Sequence, residues 1–171
     1  MYQGVILAAG HGARLGPFGE HNPKPIVPIA NKPLIVYQIE ALKQIGVSEF
    51  IVVIGHLGYR IIQTLGNGES YGVHILYVEQ EKRLGLAHAV GQLEPYIKGP
   101  FFLMLGDIFF HAPNLKQMSD VMEKEQCACV LATKEEKDIE SIKKNFSVHT
   151  GKNWHVIRVV EKPKYPQTNL K

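Results

Sequence analysis

Apolar positions along this chain fall in short blocks whose period changes between strand-like and helix-like. Gly4-Val5-Ile6-Leu7 is an apolar run too short for a helix, as expected of a strand covered on both faces. Leu34, Ile35, Ile39, Leu42 and Ile45 then recur at helical spacing, which predicts a helix over Pro33 to Gly46 with Gly46 at its C-terminal cap. Phe50 to Ile54 reads as a second buried strand, Tyr59 to Leu65 as a short helix, and Gly66-Asn67-Gly68 as a turn. A strand at Val73 to Val78, a helix at Leu86 to Leu93 and a strand at Phe101 to Leu105 follow. Leu115 to Lys124 reads as a helix, Ala128 to Thr133 as a fifth strand and Val156 to Val160 as a last one. The charged stretch Lys134 to Lys144 predicts a solvated helix or loop. Strands alternating with helices at short spacing predict an α/β fold, a three-layer, Rossmann-like and mostly parallel sheet. With no internal repeat and no linker, residues 1–171 are expected to form a single domain.

Composition narrows the class without naming a function. Hydrophobic content of 45% and charged content of 20% are those of a globular chain with a substantial core. No apolar run is long enough to span a bilayer, and no signal-peptide pattern opens the chain, so a cytoplasmic protein with no membrane partner is expected. A net charge of +3 without a concentrated basic run suits a small anionic ligand better than nucleic acid. Cys127 and Cys129 flank Ala128 on the expected fifth strand and are read as core packing rather than redox or metal chemistry. The eight histidines show no metal-ligand spacing, so none is assigned to a metal. His11 lies in the opening loop, either against a ligand or in solvent.

Four clusters can carry chemistry. The first strand breaks into Ala8-Ala9-Gly10-His11-Gly12-Ala13-Arg14-Leu15, a glycine-rich turn whose bare backbone N–H groups suit phosphate. It lacks the third glycine of the dinucleotide fingerprint and the Gly-Lys-Ser/Thr end of a Walker loop. Arg14 can grip phosphate oxygens in a bidentate fork, and Lys24, stiffened by Pro23 and Pro25, supplies a point charge. Asp107, in Leu105-Gly106-Asp107, stands just past a strand's carboxyl end, where it could hold Mg²⁺ shared with phosphates or cap the next segment. Gln80 offers an amide to a base edge, with Gly85 permitting close approach; a polar loop before a helix is the plainer reading. Glu161 and Lys162 form a charge pair at a strand end.

Taken in order, Leu7 to Leu15, Pro23-Lys24-Pro25, Leu105-Gly106-Asp107 and Glu161-Lys162-Pro163 resemble the sugar-1-phosphate nucleotidylyltransferases, glucose-1-phosphate thymidylyl- and uridylyltransferases in particular. The resemblance covers essentially the whole chain and implies a sheet of the nucleotide-diphospho-sugar transferase type. It implies a reaction in which a nucleoside triphosphate and a hexose 1-phosphate give a nucleoside diphosphate-sugar and pyrophosphate. Leu7, Ala8, Ala9, Gly10, Gly12 and Arg14 then correspond to the nucleotide-binding loop, with Gln80 and Gly85 at the base. Arg14 and Lys24 correspond to the catalytic cations, Asp107 to the magnesium-binding aspartate, and Glu161 and Lys162 to the sugar-phosphate contacts. Mg²⁺ is the implied cofactor, and UTP or dTTP the favoured triphosphate.

Three departures qualify that resemblance. Ala13 stands where the family usually has threonine, removing a hydroxyl donor. Phe146-Ser147-Val148 replaces a Tyr-Gly-Val sequence, which puts a side chain where the sugar normally passes close to backbone. A second metal-binding aspartate lies beyond the family's Gly-Ile-Tyr strand and has no counterpart here, so the domain is expected to lack its C-terminal part. A different class stays open beside the enzyme, a nucleotide- or sugar-phosphate-binding module without turnover. A dinucleotide-dependent dehydrogenase is disfavoured, because no acidic residue follows the second strand, which ends Ile54-Gly55-His56. The oligomeric state is not determined, a homo-oligomer being compatible with these features.

Overall fold

A computed structural model describes residues 1–10, 16, 19, 21–82 and 84–171. Gly12 and Arg14, with His11, Ala13 and Leu15, lie outside the described residues. The chain divides into two compact units, Met1–Leu115 and Lys116–Lys171.

In the first unit, strands β1 (Gln3–Leu7), β4 (Glu49–Ile54), β5 (His74–Glu79) and β6 (Phe101–Leu105) form a four-stranded sheet in the order β5-β4-β1-β6. Every pairing in it is parallel. The continuous apolar runs are explained by that arrangement: Val5, Ile6, Val52 and Val53 are fully buried in the two middle strands. Each such side chain removed from water contributes about 1.5–3 kcal/mol, which is why the middle of the sheet reads so clearly in sequence. Helices α1 (Leu34–Gln44), α2 (Gly58–Leu65) and α3 (Leu86–Gly91) fall within a few residues of their predicted spans. A small antiparallel hairpin, β2 (Pro28–Ile29) and β3 (Lys32–Pro33), precedes α1 and was not predicted. Its two-residue turn takes positive φ at Ala30 and Asn31, 47° and 65°, which matches the twist of a tight hairpin.

The second unit holds α4 (Lys116–Glu125), α5 (Ile139–Lys143) and an antiparallel pair, β7 (Phe146–Thr150) and β8 (Val156–Glu161). Here two expectations fail. Residues 128–133 are not a strand. Their side chains are mostly exposed and no neighbouring ladder pairs with them among the described residues, and an apolar run becomes a strand only where a partner takes its hydrogen bonds. Core packing of the cysteines fails with it: Cys127 is half-buried, Cys129 is exposed, and both are free thiols. The charged stretch carries α5 and is otherwise irregular, as expected of a solvated segment. No described helix is long and apolar enough to cross a membrane.

Candidate active site

The carboxyl ends of the parallel strands lie along one edge of the sheet, and the sheet's hydrogen bonding continues one residue past them. The Ala8 N–H donates to the Val53 carbonyl at 2.8 Å, Gly106 to Leu7 at 2.9 Å and Gln80 to Ile54 at 2.8 Å. Leu7, Ala8, Ala9, Gly10, Gln80 and Asp107 are thereby gathered at one rim of the sheet, the rim at which open α/β folds bind ligands.

Packing explains the small residues after β1. Ala8 and Ala9 are buried. A Cβ on Gly106 would lie 3.1 Å from the Leu7 carbonyl oxygen and 3.2 Å from Ala8, and one on Gly55 would lie 3.1 Å from Ala9. Strand β1 therefore leaves the sheet between two glycine turns, with room for methyl groups and nothing larger. Gly10, which follows, is exposed and faces open space.

Lys24 opens a short 3₁₀ turn, Lys24–Ile26, preceded by Pro23 at φ −65° and anchored by buried Pro25. Its ammonium Nζ reaches Asp107 Oδ2 at 3.1 Å, so the structure joins two residues far apart in sequence. The side chains are 28% and 48% exposed, a setting in which an ion pair contributes about 0–1 kcal/mol. Such a pair neutralises both charges yet exchanges readily for a phosphate and a cation.

Gln80 is buried, with its amide Nε2 at 3.4 Å from His88 Nδ1. Gly85 precedes α3 with φ +99° and ψ 178°, backbone that a side chain would strain, and the space around it is open. Between the ends of β4 and β5 a cleft of about 610 Å³ is lined by residues including Gly55, His56, Tyr59 and Gln80.

Glu161 and Lys162 belong to the second unit. Glu161 is the last residue of β8, opposite Phe146, and its carboxylate stands 3.5 Å from the neighbouring Lys162 ammonium. Lys162 takes φ +45°, left-handed backbone uncommon outside glycine, and its N–H donates to the Asn145 carbonyl at 2.7 Å. Ser147, expected to intrude on a sugar path, is fully buried, with its Oγ 3.3 Å from Thr168 Oγ1.

One residue at this rim was missed from the sequence. Gln38 lies on the buried stripe of α1, and its amide Nε2 donates to the carbonyls of Leu105 at 2.8 Å and Ile108 at 2.7 Å, on either side of Asp107. The signal available was a polar residue three after Ile35 and four before Leu42, inside an otherwise apolar face.

Among the described residues, the Asp107 carboxylate offers a divalent cation an oxygen donor at this rim, and Lys24 engages its Oδ2. No group of three or more acidic, histidine or cysteine side chains suited to a metal occurs among the described residues. Such a carboxylate fits Mg²⁺, which is commonly held by one or two carboxylates together with substrate phosphates.

Comparison with known proteins identifies the family. The nucleotidyl transferase family model matches residues 3–170. A low-salt glycan biosynthesis nucleotidyltransferase of Haloferax volcanii is 37% identical over 98% of this chain, which spans 46% of that relative. A UTP–glucose-1-phosphate uridylyltransferase of the same organism is 35% identical over 98% of this chain and 68% of its own length. A crystal structure of UDP-glucose pyrophosphorylase complexed with UDP-glucose superposes with a TM-score of 0.82 at 28% identity, covering 99% of this chain and 73% of the other. The chain thus spans only part of the length of these curated relatives, 46% and 68%. With a parallel sheet of the nucleotide-diphospho-sugar transferase type and a family match running from end to end, the chain belongs to the nucleotidyl transferase family.

Proposed function

We propose that residues 1–171 belong to a nucleotidyltransferase domain that joins a nucleoside triphosphate to a hexose 1-phosphate, releasing pyrophosphate. The observation that carries this reading is the Lys24–Asp107 pair at 3.1 Å, set at the strand rim beside the Leu7–Gly10 backbone. A cation and a metal-competent carboxylate standing together at the strand rim support a polyphosphate site there. The names of the uridylyltransferase and UDP-glucose pyrophosphorylase relatives support UTP, and thymidylyltransferase relatives support dTTP. Buried Gln80 suits either pyrimidine edge.

In this reading an oxygen of the sugar phosphate attacks the α-phosphorus, and the bond from that phosphorus to the pyrophosphate oxygen breaks. No protein nucleophile is required, so the protein's contribution is alignment and charge neutralisation. Lys24, released from Asp107, draws the two anionic reactants together. Arg14 grips the triphosphate and stabilises the departing pyrophosphate. Asp107 would hold Mg²⁺, which when bound supplies positive charge to the phosphate oxygens. Gly10 and Gly12 are assigned to the phosphates, Gln80 and Gly85 to the base, and Glu161 and Lys162 to the sugar phosphate.

The test is pyrophosphate release with Mg²⁺, glucose 1-phosphate and UTP or dTTP in turn. Release is expected with at least one pair, and Arg14→Ala should lower it by about 100-fold or more. No release with any hexose 1-phosphate, or an Arg14→Ala variant of near wild-type rate, overturns the reading. The second reading is a module that binds nucleotide without turnover. Calorimetric nucleotide binding without pyrophosphate release would select it.

A further inference from the structure

Helix α1 buries a polar side chain at the centre of its apolar face. Ile35, Ile39 and Leu42 are fully buried, and Gln38 among them is 1% exposed. An unbonded amide in that position would cost about 1–3 kcal/mol, so a side chain retained there needs partners. Both protons of its NH₂ group have them, whereas its carbonyl Oε1 is buried without one among the described residues. Nε2 donates to the Leu105 carbonyl at 2.8 Å and to the Ile108 carbonyl at 2.7 Å.

Those carbonyls are the first and last of the turn Leu105-Gly106-Asp107-Ile108, which the Ile108 N–H closes by donating to Leu105 at 3.2 Å. Gly106 also donates to Leu7 at 2.9 Å, so the turn is tied to β1 on one side and to α1 on the other. A leucine or methionine at position 38 could fill the same space but could not hold both ends of the turn. The bonds of Gln38 therefore bear on where the Asp107 carboxylate stands relative to Lys24.

We propose that Gln38 is a positioning residue: by tying both ends of the Leu105–Ile108 turn it holds the Asp107 carboxylate where the cation accompanying the triphosphate is received. This rests on the proposed function, and it assigns Gln38 no contact with substrate.

The experiment measures UTP and dTTP affinity of the whole chain by calorimetry, with and without Mg²⁺, for wild type, Gln38→Met, Asp107→Asn and the double variant. Gln38→Met is expected to reduce the Mg²⁺-dependent gain in affinity by about tenfold and to leave metal-free affinity within about twofold. In the Asp107→Asn background the same change should have no further effect, the non-additivity of two residues acting through one group. Amide exchange at Ile108 should accelerate by about tenfold in Gln38→Met, while exchange at Val52 stays unchanged.

Gln38→Glu serves where the methionine variant does not fold. It keeps the shape, offers one O–H donor when protonated and none when ionised, so its Mg²⁺-dependent gain should fall as pH rises between about 5 and 8. Wild type should show no such profile. A wild-type chain with no Mg²⁺-dependent gain overturns the proposed function. A wild-type gain that both Gln38 variants retain, additivity with Asp107→Asn, or unaltered Ile108 exchange overturns the positioning role alone.

Discussion

Two methyl groups and two glycines set the spacing at the strand rim. With the space beside Ala8 already at contact distance, a Cβ at Gly106 needs the end of β1 to give by a few tenths of an ångström. Gly106→Ala is therefore expected to destabilise the first unit by about 1–3 kcal/mol, read as a lower urea midpoint at unchanged slope. The Lys24–Asp107 pair behaves differently, because its exposure makes it weak in the folding balance and available for exchange with ligands. Small residues after a strand are visible in sequence, and so are a lysine between prolines and an aspartate at a strand end. Their meeting is not, since nothing local to position 24 refers to position 107.

At the level of elements, local signals succeed where an element supplies its own partners. Helix α5 starts at a capped end, with the Asp138 carboxylate accepting from the Glu140 N–H at 3.0 Å. Asp138→Ala should cost that helix about 1 kcal/mol, measurable as faster amide exchange at Glu140 through Ile142. Helix α1 was legible from its helical spacing, and strands β1, β4 and β6 from continuous apolar runs, because both patterns report burial directly. Residues 128–133 show the opposite case, an apolar run that remains irregular because a strand also needs a neighbour. Strand β7 was missed for the converse reason, since Phe146 to Thr150 has weak alternation but β8 supplies its ladder. Gln38 belongs with these, a polar interruption whose meaning depends on carbonyls far away in the chain.

Across the whole molecule, the second unit ties its last residues back onto themselves. Lys134 and Lys171 exchange both backbone hydrogen bonds at 3.0 Å, and the Val148 N–H donates to Leu170. Glu136 sits within that stitching. The Asp138 N–H first, then Lys171 and Lys134, hold its carboxyl down from 4.5 to about 2. A carboxyl depressed in the folded state adds stability that is fully present above about pH 4.5 and is lost as pH falls toward 2. Amide protection at Lys134 and Lys171, corrected for the intrinsic pH dependence of exchange, is therefore expected to fall across that window in wild type. Glu136→Gln, which cannot titrate, should show a flatter profile, and identical profiles would sink the assignment. The family, the parallel sheet and its central strands are carried by short-range information, because buried runs, glycine turns and motif order are written in consecutive residues. The Lys24–Asp107 pairing, the Gln38 tie, the burial of Ser147 and the exposure of Cys129 depend on long-range contacts, and no local pattern encodes which distant groups a side chain meets.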